Sequence, residues 1–252
     1  MINDIKVAFA FLTRIPINHS PEVRIHKSAA WFPLVGFITG SLSGGTYYLL
    51  SQVLPSLPAA VFAVLVSTLI TGTFHLDGLA DIFDGLVGGW NIEDRLKILK
   101  DSRHGTYGVV AIVIQIILQI SLIASLNSKD GALALIAAHT IAKVIPVILM
   151  LIPAVSTHQG MGASTAREIR FPQVSLNIFI AAIFTIPFCG YYFFTILLAL
   201  VIPLFIFSKW VINKIGGMLG DAFGAGEQIA ETVILLFFVV NFSIYGVILW
   251  NF

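Results

Sequence analysis

The chain has 252 residues, of which 58% are hydrophobic and only 11% charged, with a mean hydropathy of +0.95. Soluble domains carry about 25% charged residues, so a water-solvated globule, a fibre and a disordered chain are all set aside, and a bilayer must solvate the apolar surface. A net charge of +1 gives no reason to invoke nucleic acid, and the single cysteine, Cys189, cannot form an internal disulfide.

In chain order, the first apolar run, Val7–Leu12, is too short for a signal-peptide core and predicts a short helix near the membrane surface. Runs long enough to cross about 30 Å of hydrocarbon then recur. They fall near Trp31–Leu54, Ala59–Phe74, Tyr107–Leu126 and Ala132–Val155. Val174–Phe207 is too long for one crossing and is split at Pro187 and Gly190, and the last run is Thr232–Trp250. The expected fold class is all-α: one integral membrane domain over residues 1–252, a polytopic bundle of about seven transmembrane helices, with six as the alternative.

Lys and Arg collect in alternate connections, at Lys6, Arg14, Arg24, Lys27, Arg95, Lys97, Lys100, Arg103, Arg167, Arg170, Lys209 and Lys214, against Lys129 alone on the other side. The positive-inside rule then predicts a cytoplasmic N-terminus and a multi-pass protein of the cell membrane. The acids sort to the same side or its boundary, Asp130 excepted, so the active face is expected to be cytoplasmic.

Chemistry concentrates in three segments on that face. In the first, Asp77, Asp81 and Asp84 stand at i, i+4 and i+7, one stripe of a helix. Three like charges on adjacent turns repel unless a cation sits among them, and hard oxygen donors suit Mg²⁺ or Mn²⁺. Gly78 and Gly85 would let the backbone approach a ligand, Gly88-Gly89 ends the helix, and Glu93–Lys100 predicts a short amphipathic helix. Lys100–Gly108 follows, where Arg103 offers a donor fork for phosphate and Gly105 and Gly108 leave N–H groups accessible at a helix start. Asp101 is expected either to extend the metal site or to hold Arg103. His104 is a boundary residue in this reading, and His75, beside Asp77, the better general-base candidate. In the third segment, Gly216–Glu231, five glycines bracket Asp221, and Glu231 is expected to open the last span. Within the fourth span His139 and Lys143 share a face, and Lys143 is expected to meet a cytoplasmic carboxylate or substrate phosphate.

Phe11–Pro16, Phe32–Gly36, Phe74–Asp81, Asp84-Gly85, Lys100–Gly108 and Gly216–Glu231 together resemble the cobalamin synthase family, the adenosylcobinamide-GDP ribazoletransferases. The likeness covers almost the whole chain in order, and its His-Leu-Asp-Gly-Leu-Ala-Asp and Asp-Ser-Arg-x-Gly elements are specific. It implies a Mg²⁺-dependent membrane enzyme in which the ribose 3′-hydroxyl of α-ribazole, or of its 5′-phosphate, attacks the cobinamide-linked phosphorus of adenosylcobinamide-GDP, releasing GMP. The resemblance further implies metal held by Asp77, Asp81 and Asp84, with Asp221 completing the shell. Arg103 and Lys143 would neutralise the departing phosphate, and Asp84, Asp101 or His75 would accept the proton. Arg14, Ser102, Gly105, Gly108, Gly220, Asp221 and Glu231 are the expected substrate-binding positions. Membrane lipids are expected partners, with a homo-oligomer or a nucleotide-loop assembly complex as further expectations. Where the family pattern has threonine, glutamate and arginine, this chain has Leu219, Gln228 and Lys143. A CDP-alcohol phosphatidyltransferase would carry Arg where Asp81 stands, and a cation-coupled transporter would place acids near the midplane; these are the competing classes.

Overall fold

The computed structural model describes residues 1–20, 23–101, 103–155 and 161–244. They form an all-helical bundle. In chain order the helices are α1 (Ile2–Leu12), α2 (Ile25–Ser28), α3 (Phe32–Leu50), α4 (Ser56–Thr71), α5 (Phe74–Gly88) and α6 (Ile92–Ile98). There follow α7 (Thr106–Ala124), α8 (Ser128–Ala142), α9 (Val144–Leu149), α10 (Met161–Glu168), α11 (Phe171–Cys189), α12 (Tyr192–Ile215) and α13 (Gly220–Phe238).

Among the described residues, five helical stretches are long and apolar enough to cross a membrane: Thr106–Ala124, Ser128–Leu149, Phe171–Cys189, Tyr192–Ile215 and Gly220–Phe242. Counting the α4–α5 pair, which bends by 90°, makes six. The chain is therefore a multi-pass membrane protein. The expected first span, α3, misses the apolar threshold because four glycines, two serines and two threonines dilute its nineteen residues. Five of those small residues, Gly36, Thr39, Gly40, Ser43 and Gly44, are buried against protein instead. Added Cβ atoms would strike the α8 backbone: at Gly36 the His139 carbonyl, at Gly40 Ile136 Cα at 2.9 Å, and at Gly44 the Ala132 carbonyl at 2.5 Å. One glycine per turn thus docks α3 on α8, the small-residue packing that bilayer helices use in place of the hydrophobic effect.

The split of the long apolar run falls at Gly190, whose φ of +54° turns the chain between α11 and α12. Pro146 lacks the N–H that would bond Ala142, which explains the break between α8 and α9. The bend between α4 and α5 is made by consecutive left-handed residues, Gly72 (φ +61°) and Thr73 (φ +63°), followed directly by the aspartate-bearing helix. The amphipathic helix expected over Glu93–Lys100 is α6, capped by the Asn91 side chain on the Asp94 N–H at 2.9 Å.

One boundary differs sharply from expectation. The last span begins at Gly220, not Thr232, so the glycine-rich segment is the first half of a spanning helix rather than a loop before one. Residues 245–250 of the expected span lie outside the described residues. Glycines lowered the apparent apolarity of this half, although a glycine flanked by packed helices costs a membrane helix little.

Candidate active site

The aspartate stripe sits on α5, which packs between α7 and α13. The helix pair α5–α13 is drawn close by glycine on both sides. A Cβ on Gly78 would lie 2.9 Å from the Asp221 carbonyl, and one on Gly224 would lie 3.3 Å from His75 Cα. Gly78 therefore serves helix packing rather than ligand approach. Its effect is to bring Asp221, at the start of α13, beside Asp77 and Asp81, near enough for the three charges to act on one another.

The three stripe residues do different things. Asp77 is the most open and Asp81 is partly covered, and the His104 ring lies between them, Nε2 3.4 Å from Asp77 Oδ1 and Nδ1 3.6 Å from Asp81 Oδ1. Asp84 is 6% exposed and accepts N–H bonds from Gly105 at 2.6 Å and Gly108 at 2.8 Å. Its carboxylate thus neutralises the positive end of α7. A Cβ at position 105 would come within 2.6 Å of Asp84 Oδ1, and one at 108 would overlap Oδ2, which is why both residues are glycine. The anion held by these N–H groups is the protein's own, not a phosphate.

Asp101 and Arg103 form a two-pronged pair, Nε–Oδ1 3.0 Å and Nη2–Oδ2 2.7 Å. The guanidinium holds the Asp101 carboxyl well down, to about 2, and Arg103 is correspondingly raised by its partner. Of the two alternatives for Asp101, the pairing with Arg103 is the one present. Both residues border an open cavity of about 260 Å³ on the far side of Asp84, together with Tyr107 and Gly88. Ser102 lies outside the described residues. Arg14 lies over the α4–α5 bend, its N–H bonded to the Ile70 carbonyl at 2.8 Å and its side chain against Gly72.

Between α1, α3, α5, α9, α10 and α13 lies a cavity of about 240 Å³. Its mouth carries Asp77, Asp221 and Gly220, and its depth is lined by Phe11, Leu12, Phe32, Phe74, Met150 and Phe223. The rings of Phe32, Phe11, Phe74 and His75 form a continuous wall, with successive centroids 5.9, 5.1 and 5.2 Å apart.

Glu231 is not where the sequence placed it, whereas Lys143 meets carboxylates, one of the two partners expected of it. Glu231 lies about 16 Å along α13 from Gly220, well inside the span, and it does not open that span. Lys143 is fully buried and pairs with Glu227 and, at 3.8 Å, with Glu231. It meets carboxylates of its own bundle, so it does not reach the cavity mouth where a departing phosphate would sit. His139 Nδ1 lies 2.6 Å from Glu231 Oε1, Gln119 donates to Glu231 Oε2 at 3.0 Å, and Gln115 donates to the Gln228 carbonyl at 2.9 Å. His75 Nδ1 lies 3.5 Å from Glu227 Oε2, so this polar layer runs up to the cavity wall. Sequence reasoning passed over Glu227, Gln115 and Gln119, and it undervalued His104. A signal was present: Gln115/Gln119, His139/Lys143 and Glu227/Glu231 are each polar pairs at i, i+4 inside an apolar helix.

As a site for a hard cation, Asp77, Asp81 and Asp221 have the right donor chemistry; Asp77 and Asp221 line the cavity, with Asp77 59% exposed on its side chain, and Asp81 lies one turn along α5 from Asp77. Among the described residues, no group of three or more acid, histidine or cysteine side chains is arranged to hold a metal ion, so water and substrate oxygens would have to supply most of a Mg²⁺ shell. Asp84 fits less well, since both of its oxygens are engaged.

With this geometry in hand, comparison with known proteins is specific. The family model for cobalamin-5-phosphate synthase matches residues 4–239. A curated relative from Clostridium novyi, named adenosylcobinamide-GDP ribazoletransferase, is 36% identical over 90% of this chain and 92% of its own length. Relatives of the same name from Shewanella piezotolerans and Shewanella pealeana are 35% and 37% identical, over 95% and 94% of this chain and 95% of each relative. No solved structure matches.

Proposed function

The chain belongs to the cobalamin-5-phosphate synthase family, and from that membership we infer that it is an adenosylcobinamide-GDP ribazoletransferase, a membrane transferase of cobalamin biosynthesis. In this reaction the ribose hydroxyl of α-ribazole, or of its 5′-phosphate, forms a bond to the cobinamide-linked phosphorus. The bond from that phosphorus to the GMP oxygen breaks, and the hydroxyl proton passes to a base. The observation that carries the reading is an aromatic cavity lined by Asp77 and Asp221, from two helices, with Asp81 one helical turn beyond Asp77.

Asp77, Asp81 and Asp221 are the residues that would hold Mg²⁺, with Mn²⁺ the alternative; bound there, the cation supplies positive charge to phosphate oxygens as they gain negative charge. The His104 ring lies between Asp77 and Asp81, 3.4 and 3.6 Å from one oxygen of each. Asp84 positions rather than ligates: it pins the start of α7 to α5 and so places the Lys100–Gly105 connection beside the mouth. Arg103 is the cation available to the phosphates, being 86% exposed on its side chain and able to exchange Asp101 for a substrate oxygen. Asp101, ionised down to about pH 2, has too little proton affinity to serve as the base near neutrality. Asp84 is occupied. His75 remains, on the cavity wall, its Nδ1 3.5 Å from Glu227 Oε2.

The mouth, the α6 cations Arg95 and Lys97, and Arg103 share one end of the bundle, which supports a cytoplasmic active face in the cell membrane with the N-terminus on that side.

The test is reconstitution in lipid nanodiscs with adenosylcobinamide-GDP, α-ribazole and Mg²⁺. GMP release in step with corrinoid product is the expected result; its absence at every acceptor concentration would remove the reading. Asp81→Ala should lower the rate by about 100-fold or more, and near wild-type turnover would remove the metal assignment.

A further inference from the structure

The aromatic cavity differs in chemistry from its mouth, and the proposed reaction brings three chemically unlike groups to the site: a corrin ring, a guanine and the base of the acceptor nucleoside. At about 240 Å³ the cavity lies below the roughly 300–1,000 Å³ of pockets that enclose a whole ligand, so it suits one moiety and is far too small for a corrin. Guanine presents donors and acceptors along its edges, and burying these without partners is costly. Among the buried lining, Leu12, Phe32, Met150 and Phe223 are hydrophobic and His75 is the polar side chain. An apolar bicycle of two fused rings with no exocyclic donor presents a single ring-nitrogen acceptor there, against the several donors and acceptors of guanine.

The wall has the matching shape. Phe11 and Phe74 are only partly covered by protein, yet they pack edge to face and continue the ring line from Phe32 to His75. Such a wall favours a flat aromatic guest over a flexible chain, because ring pairs gain from offset or edge geometry beyond their buried area. The carboxylates Asp77, with its side chain 59% exposed, and Asp221 set the guest's direction: base inward, sugar hydroxyls toward Asp77.

Resting on the reaction inferred above, we propose that this cavity is the acceptor subsite. It holds the benzimidazole-type base of the ribazole nucleoside between the Phe11–Phe74 wall and Met150, with the ribose at the Asp77–Asp221 rim. The guanine and corrin of the donor then stay on the open side of the mouth, toward Arg103. The subsite makes the enzyme selective for apolar bases.

The experiment uses full-length protein in nanodiscs and two variants, Met150→Trp, which fills the cavity, and Phe11→Leu, which keeps bulk but removes the ring face. Both should raise the acceptor KM by about tenfold or more while the adenosylcobinamide-GDP KM moves by less than about twofold. Benzimidazole should compete with the acceptor in the wild type and lose potency in both variants, and guanosine should not compete. Unchanged acceptor KM and unchanged benzimidazole inhibition in a folded Phe11→Leu protein would overturn the assignment, as would guanosine competing equally well. If Met150→Trp instead strips co-purifying phospholipid and leaves acceptor KM alone, the cavity is a lipid site and the proposal falls. Direct titration of benzimidazole separates the two ideas: binding that the variants weaken, in a protein that never releases GMP, keeps the subsite and removes the reaction.

Discussion

Asp77 and Asp84 are the same residue type on the same helix stripe, yet the structure divides their work. Asp84 satisfies two orphan N–H groups of α7 and is buried, whereas Asp77 stands open at the mouth. Asp84→Asn should therefore destabilise the fold by about 1–3 kcal/mol, because an amide presents one donor where an acceptor is needed. Asp77→Asn should leave the thermal midpoint alone and cost activity. Melting curves and turnover on the two purified variants check this, and the reverse pattern would exchange their roles. Asp101 yields a pH prediction whose sign follows from its partner. Its folded carboxyl is depressed to about 2, so the pair with Arg103 is complete above the ordinary carboxylate range and is lost only as pH falls toward 2. Asp101→Asn should then change the rate without moving the acid limb of a rate profile taken from about pH 5 to 9. At this scale the stripe was legible from spacing alone, because i, i+4, i+7 fixes a helix face. The division of labour was not, because it depends on the Gly105 and Gly108 N–H groups reaching Asp84 from the next helix.

Among the helices, α3 and α8 show how small residues set geometry. An alanine at Gly36 would drive its methyl into the His139 carbonyl and close on Lys143, while one at Gly45 would meet nothing within 4 Å. Gly36→Ala should lower the yield of folded protein and its melting temperature, and should disturb the His139–Lys143 layer. Gly45→Ala should be neutral or stabilising by up to about 1 kcal/mol, the ordinary helix gain over glycine. Size-exclusion profiles and thermal melts of the pair test the contrast. The same logic explains why the start of α13 escaped sequence reading. Gly220, Gly224 and Gly226 look like a polar linker by hydropathy, but a Cβ on Gly226 would lie 2.5 Å from Leu149 and one on Gly224 would crowd His75. Apolarity summed along one segment cannot register that a partner helix fills the space.

For the whole molecule, the distribution of charge predicts topology. With Cys189 replaced by Ser, a cysteine placed at Lys97 should react with membrane-impermeant reagent only from the cytoplasmic side. One placed at Lys129, in the α7–α8 turn, should react only from outside. Labelling of both from one side would invert or refold the reading. Composition alone dictated that a bilayer surrounds this chain, since 11% charged residues cannot cover a water-exposed surface. Local pattern alone dictated the Asp77–Asp84 stripe, the α6 helix and the turn at Gly190, because helical period and glycine's conformational range act within a few residues. Tertiary structure decided the rest. Glu227 and Glu231 lie inside the bundle because Lys143, His139 and Gln119 from two other helices meet them there; alone, either acid would have been driven to the boundary. The cavity likewise exists only where α1, α3, α5, α9, α10 and α13 leave a gap, and a gap between six segments has no representation in the order of residues along any one of them.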